Sequence, residues 1–156
     1  MTFFEVKIKI DKVQEDGTQK TVTETYAVDA LSFTEAEARI TEEMQPYITG
    51  EFNVTHEKIA QYNEVVLNEG ELFFLVKYNL ITLDEKSGKE RKNSMYVLFR
   101  DLTIDKAKEA ARKHMAASVV DYEIEAIKET KILDVFMERT ATENLGKLGA
   151  DKIEVN

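Results

Sequence analysis

Residues 3–10 alternate Phe4, Val6, Ile8 and Ile10 against Phe3, Glu5, Lys7 and Lys9, a period of two that predicts a strand with one buried face. Glu15-Asp16-Gly17-Thr18 supplies a turn, because Asp-Gly tolerates the positive φ of a tight hairpin. Residues 20–30 predict the return strand, with Val22, Tyr26, Val28 and Ala30 on one side, Thr21, Thr23 and Thr25 on the other, and Glu24 out of register. Ser32-Phe33-Thr34-Glu35 has the form of a capping box, a hydroxyl for the helix N-terminus and a glutamate reaching back. Phe33, Ala36, Ile40, Met44 and Tyr47 then recur at helical spacing as one apolar stripe, and Pro46 ends the helix. Residues 51–67 return to a strand pattern in which Phe52, Val54, Ile59, Tyr62, Val65 and Leu67 change phase midway. That predicts a bulge or a break into two short strands.

The same order of patterns comes again about seventy residues later. Phe3-Phe4-Glu5-Val6-Lys7 is answered by Phe73-Phe74-Leu75-Val76-Lys77, and Tyr26-Ala27-Val28 by Tyr96-Val97-Leu98. Leu31 with Ala36 matches Leu102 with Ala107, and Phe52-Asn53-Val54 matches Tyr122-Glu123-Ile124. The offset is 70 on the strand-like segments and 71 across the helix-like one. Residues 72–83 predict a strand, Asp84-Glu85-Lys86-Ser87-Gly88 a turn and residues 91–100 the return strand. Thr103 then caps a helix with the stripe Ile104, Ala107, Ala111, Met115 and Ser118, and residues 121–137 predict one long closing strand. The expected fold is α+β: tandem β-β-α-β repeats related by a pseudo-two-fold, with largely antiparallel sheets and two helices. Residues 1–70 form the first repeat and residues 71–137 the second, fused into one globular domain because neither unit buries its apolar face alone. Residues 138–156 are a C-terminal extension, where Thr142-Glu143-Asn144-Leu145 starts a short helix stopped by Gly146 or Gly149. Two arrangements stay open, the sheets joined edge to edge or packed face to face.

Composition narrows the class. A chain of 156 residues with 43% hydrophobic and 33% charged residues is long enough to bury a core and too apolar to be disordered. Its longest apolar runs are five residues, far short of the roughly 20 that span a bilayer, and the N-terminus lacks a secretory signal pattern. With no cysteine, the chain has neither disulfides nor thiolate metal sites, so a cytoplasmic protein without a membrane partner is expected. The net charge of −9 is unevenly spread. Residues 1–70 hold 6 basic and 14 acidic side chains, a net −8, whereas residues 71–137 hold 12 of each. Such asymmetry arises from drift on two solvated surfaces, or from a second copy that holds an anionic partner.

No residue pattern identifies a reaction. Histidine occurs only as His56 and His114, in non-equivalent places and without a third group at ligand spacing, which leaves a zinc site or a Ser-His-Asp triad unsupported. Asp121, Glu123 and Glu125 lie on one strand face and suit a hard cation, but a solvated sheet face explains them equally. Glu129-Thr130-Lys131 matches the Glu-x-Lys element of metal-dependent nucleases, and so does Glu5-Val6-Lys7, because alternating strands generate that pattern cheaply. The six glycines are scattered, so there is no P-loop or dinucleotide fingerprint. The expectation is a non-enzymatic protein with no catalytic residue, no metal and no cofactor.

The remaining signal is aromatic and basic. Phe3, Lys7 and Lys9 share the non-core face of the first strand, and Phe73 and Lys77 repeat that face in the second copy. Lys86, Lys89, Arg91 and Lys92 form the one dense basic run, and Tyr26 and Tyr96 recur on the return strands. Rings on a sheet with flanking cations suit single-stranded DNA or RNA, since bases stack on rings while cations track the backbone. The opposing reading places Phe3 and Phe73 in a core covered on both sheet faces, with lysines that only keep a hairpin tip soluble.

Three segments carry a family resemblance: Asp29-Ala30-Leu31-Ser32-Phe33-Thr34-Glu35-Ala36-Glu37-Ala38-Arg39-Ile40, Ile81-Thr82-Leu83-Asp84-Glu85-Lys86-Ser87-Gly88-Lys89-Glu90 and Asp121-Tyr122-Glu123-Ile124. Over residues 3–137 the chain resembles a family of small proteins of unknown function from gut anaerobic bacteria and their phages. That resemblance implies no activity or catalytic residue, and only through its phage association does it suggest accessory DNA metabolism or host interaction. Single-stranded nucleic acid binding through Phe73, Lys77, Lys86, Lys89, Arg91, Lys92 and Tyr96, with Phe3, Lys7 and Lys9 of the first copy, is therefore the leading expectation. The alternative is a protein-interaction or self-assembly module, an adaptor or inhibitor with a protein partner or a homo-oligomer, working through exposed sheet edges and the extension.

Overall fold

In the computed structural model, which describes residues 2–138, the alternating segments form two long hairpins. Strand β1 is Thr2–Val13 and β2 is Gln19–Ala30, while β5 is Leu72–Leu83 and β6 is Glu90–Asp101. Helix α1, Phe33–Met44, follows β2 and passes into a 3-10 turn, Gln45–Tyr47, where Pro46 denies a further α-helical hydrogen bond. Helix α2, Ile104–His114, follows β6. Both start as expected. Ser32 Oγ accepts from Glu35 N–H (3.1 Å) while Glu35 Oε2 accepts from Leu31 N–H (3.0 Å), and Thr103 Oγ1 accepts from Lys106 N–H (3.2 Å). The stripes are shorter than the periodicity suggests. Ala36, Ile40 and Met44 are buried on α1 and Ala107 and Ala111 on α2, but Tyr47 and Ile104 are exposed, and Phe33 is only partly covered, edge-on against Phe4 of β1.

The hairpin turns differ by one residue. Gln14 N–H donates to Thr18 O (2.7 Å) in the first, and Asp84 N–H to Lys89 O (2.9 Å) in the second. The longer second turn shifts the strand register of that hairpin by one residue relative to the first. Val6 pairs with Tyr26, whereas Val76 pairs with Val97. Tyr26 and Tyr96 are therefore not equivalent positions, which corrects the sequence expectation. A one-residue slip turns a strand side chain to the opposite face, and the two tyrosines do face opposite ways. Tyr26 packs with Val28 and Ile40, while Tyr96 lies against Leu98 and Phe73.

Eight strands form two mostly antiparallel sheets. Residues 51–67 break into β3, Phe52–Ile59, and β4, Glu64–Leu67. The long closing strand expected over residues 121–137 also breaks, into β7, Asp121–Glu129, and β8, Ile132–Phe136. Thr130 marks this second break. Its N–H and hydroxyl both donate to Phe73 O (2.8 and 2.9 Å), and Thr130 Oγ1 accepts from Ile132 N–H (3.2 Å), a local turn that ends the ladder. One sheet has the order β3-β1-β2-β8 and the other β4-β6-β5-β7. Each short strand crosses to the other sheet: β4 pairs parallel with β6, and β8 pairs parallel with β2. A carboxylate holds each crossing strand at its end. Asp29 accepts from Glu138 N–H (2.7 Å) and pairs with Arg39, and Asp101 accepts from Asn68 Nδ2 (3.0 Å). Gly70, at φ 131, turns the chain from β4 into β5, and a side chain there would collide with the Asp101 backbone.

The layers run helix, sheet, sheet, helix. The outer face of the first sheet buries Phe4, Val6, Ile8 and Ile10 against α1, and that of the second buries Val76, Tyr78, Val97 and Phe99 against α2. Between the sheets lies a third core of Phe3, Ala27, Ile132 and Val135 from one side and Phe73 and Leu98 from the other, sealed by Ala60 and Tyr62. The sheets thus pack face to face. Transfer of these side chains from water, at about 25 cal/mol per Å² of apolar surface, is the dominant stabilising term.

Candidate functional site

Phe3 is 6% exposed and Phe73 1%, both inside the core between the sheets. The expectation of an open aromatic face is corrected here, because a ring enclosed by Ala27, Leu98 and Ile132 has no free surface on which a base can stack. Tyr96 is half-buried against the same core. Further out on the inner faces the residues are polar. Lys7 and Lys9 are exposed on β1 opposite Thr25 and Thr23. Lys77 is ion-paired with Glu125 and lies 6.0 Å from the Tyr96 ring centre, and Lys92 pairs with Glu123 (2.9 Å), which also accepts from Asn79 Nδ2 (3.1 Å). Hydrogen bonds within each pair hold Lys77 and Lys92 above the usual lysine range, and hold Glu125 and Glu123 below the usual carboxylate range. Both lysines are thus already neutralised. Lys86, Lys89 and Arg91 are exposed at the β5–β6 hairpin.

The acidic strand face of Asp121, Glu123 and Glu125 is divided. A bulge interrupts β7, since Lys77 pairs with Ala126 and Tyr78 with Ile124, which leaves Glu125 without a partner residue and breaks the alternation. Among the described residues no group of three or more potential ligands converges on a metal-sized site. His114 is half-buried, 3.1 Å from Glu64 and edge-on to Phe99, and His56 is exposed beside Thr55.

A different feature stands out on the outer face of the second sheet. An open groove of about 830 Å³ runs between α2 and β7. Its floor is Tyr122, Ile124 and Ile127, half-buried over the Val76, Tyr78 and Phe99 core, and its wall is Ile104, Asp105, Lys108 and Arg112 of α2; Glu123 and Glu125 also line it, their charges answered by Lys92 and Lys77. Among the described residues β7 is the last strand of its sheet, so the backbone groups along its outer side take no part in the described ladder. Lys108 and Arg112 are exposed and make no ion pair among the described residues, unlike Lys77 and Lys92. The corresponding place in the first sheet is acidic: Glu37 and Thr41 stand where α2 has Lys108 and Arg112, and Glu57 of β3 stands where β7 has Ile127. Burial first, then the charge of Glu37, push the Glu57 carboxyl up, and its Oε1 has no hydrogen-bond partner. Sequence reasoning missed the groove because it tracked the apolar stripe of α2. The signal present was two like charges four residues apart on the helix flank, which repel unless something outside answers them.

A second cleft, of about 350 Å³, lies between the end of α1 and β8, over Tyr26 stacked on Phe136 at 5.7 Å. Its polar groups are mutually satisfied, with Glu24 accepting from Lys12 (2.8 Å) and from the Tyr26 hydroxyl (2.6 Å). Among the described residues no helix is long and apolar enough to cross a membrane.

A family model described as a domain of unknown function, DUF4494, matches residues 2–138, and the chain belongs to that family. This agrees with the small family of unknown function that the sequence resembles. No curated protein and no solved structure matches the chain.

Proposed function

Taking DUF4494 membership as the premise, we propose that this chain is a non-enzymatic binding protein, built by duplication of one ββαβ unit about a pseudo-two-fold and specialised in its second half to dock a protein segment. Several features support the duplication. The strand orders β3-β1-β2-β8 and β7-β5-β6-β4 correspond position by position, bulges fall at Thr55 and at Glu125 seventy residues later, and each half lends a short strand to the other. The binding reading rests on one observation: a free edge of β7 beside the α2 wall, over an apolar floor. An extended segment added to such an edge gains main-chain hydrogen bonds from the strand and side-chain contacts from the helix. This geometry favours a protein partner over single-stranded nucleic acid, for which Phe3 and Phe73 are enclosed and Lys77 and Lys92 already paired.

The test combines two titrations. A fluorescent single-stranded oligonucleotide at 50 mM salt is expected to show no anisotropy change up to micromolar protein. A displayed library of random peptides panned on the chain is expected to yield binders that slow hydrogen exchange along Asp121–Glu129. Oligonucleotide binding without any peptide binder, or peptide protection confined to another surface, overturns the proposal.

A further inference from the structure

We infer that the α2–β7 groove recognises an extended acidic segment of the pattern apolar-x-acidic-x-acidic, one side chain for each of Ile104, Lys108 and Arg112. This rests on the docking reading above and names the chemistry of the occupant. Ile104, Lys108 and Arg112 are four residues apart in turn, hence about 6 Å apart along the helix axis. Alternate side chains of an extended strand point to one face and lie roughly 6.8 Å apart. A strand laid against β7 therefore presents every second side chain to the helix wall in near-register with these three residues.

Charge sets the order. Lys108 and Arg112 have no carboxylate partner among the described residues, and an i, i+4 pair of cations is mutually unfavourable until anions arrive. Ile104 is exposed, and Asp105 beside it on the groove repels an acidic side chain at that end. The sheet fixes which end is which. The start of β5 pairs with the end of β6, from which α2 departs, and also with the end of β7. Ile104 thus sits toward the Ile127 end and Arg112 toward the Tyr122 end. An antiparallel addition to β7 then reads apolar first and acidic last from N- to C-terminus. The matching wall of the first half, with Glu37 and Thr41, offers no such complement to an acidic segment.

The experiment uses the full chain and two synthetic fluorescent heptapeptides, Thr-Ile-Thr-Glu-Thr-Glu-Thr and its counterpart with both glutamates replaced by lysine. The acidic peptide is expected to bind in fluorescence polarisation, to protect the β7 amides from exchange, and to weaken roughly tenfold in the double variant Lys108→Glu/Arg112→Glu. The lysine peptide is expected to show the opposite preference. Both substitutions lie on the exposed flank of α2, and an unchanged thermal transition confirms that the variant is folded. If both peptides bind the native chain equally and protect β7, the acidic pattern is wrong while docking at this edge survives. If neither binds and no β7 amide is protected, the docking reading falls with it.

Discussion

Tyr62 and Tyr78 are both fully buried phenols, yet their hydroxyls meet opposite fates. Tyr78 Oη donates to Ala111 O at 2.8 Å, filling with its ring the room left by a small helix residue where the first half has Ile40. Ile8 and Ile40 on one side thus correspond to Tyr78 and Ala111 on the other, a large-small exchange that conserves volume. Tyr62 Oη makes no well-formed hydrogen bond among the described residues, while burial first, then the charge and weak hydrogen bonding of the nearby Glu5 carboxylate, hold its phenol above the ordinary range. A buried bonded hydroxyl contributes about 1 kcal/mol, whereas an unbonded one only carries its desolvation penalty. Tyr78→Phe is therefore expected to lower the unfolding free energy by about 1 kcal/mol in urea denaturation. Tyr62→Phe is expected to leave it unchanged or raise it, and a loss like that of Tyr78→Phe would show the Tyr62 hydroxyl to be bonded. Neither outcome is legible in the sequence, where both are tyrosines in apolar company.

Helix starts were readable because a cap is made within four residues. Ser32 with Glu35, and Thr103 with the Lys106 amide, bond as the local pattern requires. What each helix covers was less readable, since the partner strand lies elsewhere in the chain. The α1–β3 contact shows the consequence. Glu57 sits under α1 beside Glu37, and burial followed by that charge raises its carboxyl. A folded-state value above the unfolded one means the penalty is absent at low pH and present once the pH exceeds the folded value. Glu57→Gln is expected to stabilise the protein at pH 7, with the difference from the native chain closing as the pH falls through the range near and above 4.5, the ordinary carboxyl value. Thermal melts at pH 4 and pH 7 check this. A constant difference would trace the effect to packing.

Strand exchange links residues 1–70 to residues 71–138, since β8 pairs with β2 and β4 with β6. Without β8, residues 1–70 expose the edge of β2 and the Phe3–Ala27 side of the inner core, and without β4 residues 71–138 expose the edge of β6 and Phe73. Each fragment made alone is expected to lack a cooperative thermal transition, and mixing the two is expected to restore one close to that of the intact chain. A sharp transition in residues 1–70 alone would mean that β8 is dispensable to the first sheet. The same exchange explains why the breaks at residues 60–63 and 130–131 exist: a chain that must cross to the opposite sheet has to leave its ladder first.

Local alternation, turn chemistry and capping were enough to read the hairpins and the helices, because each depends on neighbours within a few positions. The destination of β4 and β8, the enclosure of Phe3 and Phe73, the opposite facing of Tyr26 and Tyr96 and the occupation of Lys77 and Lys92 by carboxylates emerged from the fold. Each of these depends on which distant surface covers a strand face. A period of two records that the faces differ, but carries no information about what lies against either one.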